Sequence, residues 1–341
     1  MARLGKQKNL ILLLLAVIVL QFVGLTALLL ADSRRQAPEP VPAAQPDTDE
    51  TQPELEDVIP AWLEPAAPEP VREKEPPEGE LSAAEILSSS QIVAHGLGAT
   101  DGEAVLNCLE GFQAQYAKGT RVFEADLRLT SDLQVVLRHD WRAGWQDGVG
   151  ETMVPTLEEF LEKPILGRYT PLSFRDLLLL MEEYPDICIV TDTKFTDAEI
   201  VALQFEAMLR DAEDLGLSYL FGRMAIQVYS ELSYRIVDSI HHFPCYIYTL
   251  YAEGFDRSEE TFRERAGFCR ENGILGITMW DYWWKDSFSP IAQECGVTVY
   301  VHTVNDAQQA LALLDSGVSA IYTDSLVPGD LEPVGPAEEG A

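Results

Sequence analysis

The sequence predicts an α/β protein: a (β/α)8 TIM barrel with a β-hairpin at its mouth after the second strand, preceded by an N-terminal transmembrane helix and a disordered linker. Three observations predict the barrel. Eight short apolar runs recur along residues 82–328, several segments between them carry helix-period apolar spacing, and about 245 residues of such alternation suit eight strand–helix units.

Residues 1–8 form a basic flank with Arg3, Lys6 and Lys8, and residues 9–31 are almost continuously apolar. At ~1.5 Å per residue that run crosses a hydrocarbon core of ~30 Å. A secretory signal has a shorter core of roughly 7 to 15 residues, so the length favours an uncleaved anchor over residues 1–31. The flank and terminal amine outweigh Arg34 and Arg35, which predicts a single-pass cell-membrane protein with its folded domain extracytoplasmic. Residues 32–81 hold eleven of the twenty prolines and many acids, too little apolar surface to fold, and read as a disordered tether. A disordered tail is expected over residues 329–341.

Ser82 and Glu85 fit a capping box that opens a short helix through Leu87. The eight strand runs follow at 92–95, 122–127, 187–192, 225–229, 245–250, 274–279, 297–302 and 320–323, with helical spacing at 174–184, 198–215 and 307–314. An extra run at 134–138 follows the second strand after only a few residues. A parallel crossover needs about a dozen, so this run returns antiparallel and brings His139 back near the level of Asp126, facing its carboxylate.

The formal net charge is −32, and residues 84–341 alone carry 42 acidic against 17 basic side chains. Such a surface repels nucleic acid and anionic headgroups, which excludes them as primary partners, and it is compatible with cation binding. The five cysteines, Cys108, Cys188, Cys245, Cys269 and Cys295, include no Cys-x-x-Cys pair. They define neither a zinc site nor a disulfide framework and read as small core residues, with one disulfide left open.

Active sites of these barrels lie at the C-terminal ends of the strands, where His95, Glu124, Asp126 and Asp192 fall. Glu124 and Asp126 are two residues apart, so both carboxylates leave one face of the strand. With Asp192 as a third acid they make a hard-cation site, and His95 and His139 beside it can move protons at neutral pH. That is the equipment of metal-assisted phosphodiester cleavage. The competing reading bridges the acid pair to Arg121 or Arg128; like charges so close raise each other's pKa unless a cation neutralises them. Lys194 shares a face with Asp192 and either holds a phosphate oxygen or forms a plain ion pair. Asp140 either orients His139 or caps the loop. Trp280, Tyr282, Trp283 and Trp284 either wall a pocket for an apolar or choline-like group or pack the barrel. His302 and Asp324 are further candidates to line the pocket.

The stretch AHGLGATDGEAVLNCLEGFQAQYAKGTRVFEADLRLTSDLQVVLRHD resembles the N-terminal signature of bacterial glycerophosphodiester phosphodiesterases, in the superfamily that includes phosphatidylinositol-specific phospholipase C. The resemblance spans about residues 91–325, through VTDTK and VTVYVHTVNDAQQALALLDSGVSAIYTD. It implies a metal-dependent phosphoric diester hydrolase in which His95 and His139 share acid and base work. Glu124, Asp126 and Asp192 are then the ligands of Ca2+ or Mg2+, with Lys194 supplying positive charge to the phosphate. The implied substrates are glycerophosphodiesters or related phospholipid head-group diesters.

Some positions depart from the pattern. The third ligand is commonly the Glu of Glu-x-Lys, and Asp192-x-Lys194 is closer to sphingomyelinase D-type phospholipases. The family's His-Arg-Gly is His95-Gly96, its Glu-Asn is Leu106-Asn107, and its strand-ending Trp is His302. Two alternatives therefore stand: phospholipase D or sphingomyelinase D-like action on choline or ethanolamine lysolipids, and a surface-tethered, non-catalytic binding barrel.

Overall fold

Strand sequences such as VFEADL and CIVTD place β-branched and apolar residues on both faces, because one side is buried in the barrel and the other under helices. The computed structural model describes residues 71–141, 154–252 and 254–332. Its strands are β1 (Ile92–Ala94), β2 (Val122–Leu129), β3 (Val135–Leu137), β4 (Cys188–Asp192), β5 (Met224–Val228), β6 (Tyr246–Thr249), β7 (Gly276–Trp280), β8 (Thr298–His302) and β9 (Ala320–Thr323). All but β3 pair in parallel, and the ring closes where β1 lies between β2 and β9, with Ala94 beside Phe123 and Ile92 beside Ile321. This is the predicted eight-stranded barrel.

The helices are α1 (Ala83–Ser88), α2 (Leu109–Tyr116), α3 (Leu157–Glu162), α4 (Phe174–Glu183), α5 (Ala198–Leu215), α6 (Glu231–Ile240), α7 (Glu259–Glu271), α8 (Ser289–Cys295) and α9 (Ala307–Asp315). The Ser82–Glu85 capping box forms as the sequence predicts. Ala83, Ile86 and Leu87 of α1 pack against Val122, Cys188, Val190, Ala225 and Ile247, so this helix plugs the floor of the barrel. Along β2 and β4 the same inward face climbs from Val122 and Val190 to Glu124, Asp126 and Asp192. The period-two alternation thus sets an acidic rim directly above an apolar floor.

The extra run is the return strand of a hairpin: Leu127 pairs with Leu137 and Leu129 with Val135, antiparallel. Arg138 N donates to Asp126 O at 2.8 Å, which fixes His139 one residue beyond the level of Asp126.

Two boundaries differ from the expectation. Within the segment expected to be a free tether, residues 71–81 run along the barrel: Lys74 N donates to Gly216 O at 2.9 Å, Ser218 Oγ to Glu73 Oε1 at 2.8 Å, and Lys74 pairs with Glu182. Arg223 is 1 % exposed, donates to the carbonyls of Met181, Tyr184 and Ile187, and pairs with Glu80 at 2.6 Å. Gly216, at φ +66°, ends α5, and a Cβ there would lie 2.6 Å from Arg72 O. These contacts are polar and backbone-mediated, which is why a search for apolar periodicity passes over them. At the other end the chain continues past 328 in a turn, Pro328–Leu331, that buries Leu331. The apolar stretch 9–31 expected to span a membrane lies outside the described residues, and among those described no helix is long and apolar enough to cross one. All five cysteines are free and buried.

Candidate active site

Asp126 and Asp192 are register neighbours on β2 and β4, and Glu124 precedes Asp126 by one alternation. All three carboxylates are buried, and one oxygen from each lies within 4.8 Å of the others. Their remaining oxygens are held from the chain. Gly96 N donates to Glu124 Oε2 at 2.7 Å, and Asn107 Nδ2 donates to Asp126 Oδ2 at 2.7 Å while its Oδ1 accepts from Asp126 N at 3.0 Å.

Lys194 reaches into this group. Its ammonium stands 2.8 Å from Asp126 Oδ1 and pairs with Asp192, so the ion pair the sequence allowed is formed. Arg121 instead pairs with Asp186 at 2.6 Å, and Arg128 donates to His139 O at 3.0 Å, so the bridge to arginine does not form. One ammonium is not enough for three acids. Burial, reinforced by Asp126, pushes Glu124 well above the usual carboxylate range, and burial also raises Asp192 despite Lys194. For Asp126 burial is outweighed by Lys194, which holds it below that range. Among the described residues Glu124 Oε1 is buried without a hydrogen-bond partner, and Asp126 Oδ1 touches the ammonium without a directed hydrogen bond. Unpaired hard oxygens and excess negative charge fit a small divalent cation.

His95 and His139 are each anchored by an aspartate on Nδ1. His95 Nδ1 is 2.8 Å from Asp324 Oδ1, and Asp324 is held in turn by Asn305 Nδ2 at 2.8 Å. His139 Nδ1 is 2.7 Å from Asp140 Oδ2. An Nδ1–H given to a carboxylate leaves Nε2 as the working nitrogen in both rings. His95 Nε2 lies 4.0 Å from Glu124 Oε2. Burial works against charge on His95, yet Asp324 with Glu124 and Asp126 prevails and pushes it up to about 9.

His95, Glu124, His139, Asp192 and Lys194 form one side of a cavity of about 310 Å³, completed by Gln227, Tyr251, Trp280, His302, Thr303 and Tyr322. The hairpin therefore does bring His139 to the carboxylates. Tyr251 OH donates weakly to Asp192 Oδ2 at 3.4 Å. The Trp280 and His302 rings are 4.5 Å apart, and burial, with His95 and Lys194 nearby, pushes His302 down to about 3. Of the aromatic cluster after β7, Trp280 alone lines this cavity: Trp284 Nε1 donates to Ser316 at 2.8 Å, Trp283 packs on Phe255, and Tyr282 is exposed.

Sequence reasoning missed Gln227, Tyr251, Thr303 and Tyr322. Gln227 had a signal, a lone amide inside the apolar run of β5, and Tyr251 sits just past the end of β6 where the strand-end rule would look. Gly96 also explains itself: at φ +55°, a Cβ there would lie 2.6 Å from Val105 Cα, so no side chain fits where the resembled motif has arginine.

No family model matches the sequence. Solved structures share the fold. A phosphodiesterase of Oleispira antarctica in complex with the product sn-glycerol-3-phosphate is 17 % identical at TM-score 0.56, covering 69 % of this chain and 93 % of that one. A protein of Silicibacter pomeroyi assigned as a glycerophosphoryl diester phosphodiesterase is 20 % identical at 0.56, covering 71 % and 91 %. A glycerophosphodiester phosphodiesterase of Parabacteroides distasonis is 18 % identical at 0.54, covering 69 % and 92 %. At these identities the likeness establishes the barrel fold.

Proposed function

We propose that this chain is a divalent-metal-dependent phosphodiesterase acting on glycerophosphodiesters or related phospholipid head-group diesters. The observation that carries the reading is the buried triad of Glu124, Asp126 and Asp192, with one oxygen of each within 4.8 Å of the others, of which Glu124 and Asp192 line one cavity with two aspartate-anchored imidazoles. The fold shared with phosphodiesterases, one of them holding sn-glycerol-3-phosphate, supports it.

Glu124, Asp126 and Asp192 would hold the ion. Bound there, Ca2+ or Mg2+ together with the Lys194 ammonium would balance the three carboxylates, and the ion would polarise a phosphoryl oxygen. One imidazole takes a proton from the attacking water, or from an internal hydroxyl of the substrate, at Nε2. The other gives its Nε2 proton to the departing alkoxide as the phosphorus–oxygen bond breaks. Asp324 and Asp140 steady the imidazolium, which the base becomes as it takes its proton and which the acid is before it gives its own. Lys194 adds positive charge where the transition state accumulates negative charge.

The test is hydrolysis of a panel of glycerophosphodiesters and bis(p-nitrophenyl) phosphate by metal-stripped protein resupplied with Ca2+, Mg2+ or Mn2+. Metal-dependent release of one alcohol is the expected result; no turnover with any of the three metals would sink the reading. A second reading, head-group release from choline or ethanolamine lysolipids, is favoured by Asp192-x-Lys194 and by the Tyr251 and Trp280 wall, and lysolipid substrates in the same panel separate it. A non-catalytic barrel is favoured by Lys194 already lying on Asp126 and Asp192. We also propose that residues 1–31 hold the domain at the outer membrane face; shaving intact cells with protease should remove it, and protection would refute the topology.

A further inference from the structure

A second cavity of about 400 Å³ borders the first and shares only His95 and His139 with it. Half of its lining is aliphatic. Ala104, Val105 and Leu106 come from the loop after β1, and Ile165 and Leu166 from the turn after α3.

This cavity is built rather than incidental. Val105 stands at φ +56° and Leu166 at φ +51°, the left-handed region that a β-branched or bulky residue rarely enters. Such strain persists only where surrounding structure over-determines it, and it concentrates at sites that hold ligands. Here Asn107 N donates to Gly96 O at 2.9 Å, Thr100 and Glu103 exchange two backbone bonds of 2.9 Å, and Ile165 pairs with Tyr169 at 2.8 Å. Leu106 and Ile165 share a buried cluster with Cys108 and Tyr169 that ties the two loops together. Leu166 remains 46 % exposed.

A phosphodiester has two organic arms diverging from one phosphorus. A phosphorus held between the acid triad and the two imidazoles has a cavity available for each arm. The polar members of the second cavity are Glu103, Asp140, Arg138 and the two shared imidazoles. Two carboxylates are balanced there by the guanidinium and the His95 imidazolium, and the aliphatic part of the wall favours a carbon chain over a polyol.

We propose that the second cavity is a subsite for the second ester arm of the substrate, and that it accepts an aliphatic arm. The inference rests on the phosphodiesterase reading and names its substrate class: diesters with one hydrocarbon-bearing alcohol.

The test is binding rather than turnover. Methyl, butyl and hexyl phosphate are titrated by calorimetry into the folded protein in the presence of Ca2+. Affinity should rise about twofold to fourfold per methylene, the gain expected from burying a chain. Leu166→Asn, which suits the left-handed backbone, and Leu106→Asp should flatten that rise, while Leu133→Asn, at the exposed hairpin tip, should keep it. Equal affinity for all three phosphates overturns the subsite. So does a rise abolished by Trp280→Ala but kept by Leu166→Asn, which would put the chain in the first cavity. Turnover of bis(p-nitrophenyl) phosphate by the same preparation reports separately on the reaction: a rise without turnover removes the enzyme and leaves the subsite, whereas turnover with a flat series removes the subsite alone.

Discussion

His95 follows β1 and His302 ends β8, both partly buried on the wall of one cavity, yet one is pushed up to about 9 and the other down to about 3. Burial acts in the same direction on both. What differs is the company: His95 has Asp324 at 2.8 Å and the acid pair behind it, whereas His302 Nε2 has no hydrogen-bond partner among the described residues and its ring stands beside those of Tyr251, Trp280 and Tyr322. The contrast extends around the rim. The arc from β1 through β2 to β4 carries acids tied to backbone and side-chain donors. The arc from β6 to β8 carries aromatic rings and a neutral imidazole, and the chain turns back to the charged arc where Asp324, just past β9, meets His95. Equivalent strand-end positions thus become a charged, proton-moving half and an uncharged half that can only shape what binds.

The strongest way to break this comparison is to remove charge from the acidic arc. Asp126→Asn should abolish Ca2+ binding in calorimetry and lower turnover by about 10³-fold, the scale of losing a preorganised electrostatic group. Saturating Ca2+ should also stabilise the wild type by roughly 2.7 kcal/mol at a hundredfold excess over Kd, and the variant not at all, as read from urea midpoints. An unchanged midpoint for the wild type would remove the metal from the acidic arc.

Next in size are the imidazoles of that arc. His95→Ala and His139→Ala should each reduce kcat by about 10² to 10⁴-fold, and Asp324→Asn by about 10 to 100-fold, because it acts through His95. His302→Ala should leave the pH profile of kcat in place. A His302 variant as damaged as His95→Ala would erase the distinction between the arcs.

Titration sharpens the same contrast. In metal-free protein, NMR should show His95 losing its proton near pH 9 and His302 remaining neutral down to about pH 3. The signs are opposite. His95, raised above its unfolded value of about 6.5, contributes stability present below pH 6.5 and lost as pH rises through 9. His302, depressed below that value, contributes stability present above pH 6.5 and lost as pH falls towards 3. Asp324→Asn should lower the His95 midpoint and leave that of His302 in place.

The smallest effect belongs to the uncharged arc. Trp280→Ala should change KM for quaternary-ammonium head groups by at most about tenfold, in line with one exposed cation–π contact, with kcat unchanged. A larger loss for choline than for glycerol substrates would favour the lysolipid reading.

Much of this arrangement is legible along the chain. Glu124 and Asp126 share a face because strand side chains alternate, and His139 returns to their level because too few residues separate β2 from β3 for any other connection. The capping box at Ser82 and the helix over Ala198–Leu215 are equally local. The pairing of His95 with Asp324, 229 residues apart, is not local; it exists because β9 closes the ring beside β1. Nor can composition tell Trp280, which faces the cavity, from Trp284, which bonds Ser316. The docking of residues 71–81 depends on Gly216 and a buried Arg223, neither of which announces a partner.

The sequence by itself determined the barrel, the hairpin and the spacing of the acids, because alternation, turn length and capping are settled within a few residues of backbone. Tertiary structure alone decided which charges meet: Lys194 on Asp126 and Asp192, Asp324 on His95, and no hydrogen-bond partner among the described residues for His302 Nε2. A pKa at the rim is set by whatever stands within a few ångströms, and only closure of the ring brings distant strand ends that near.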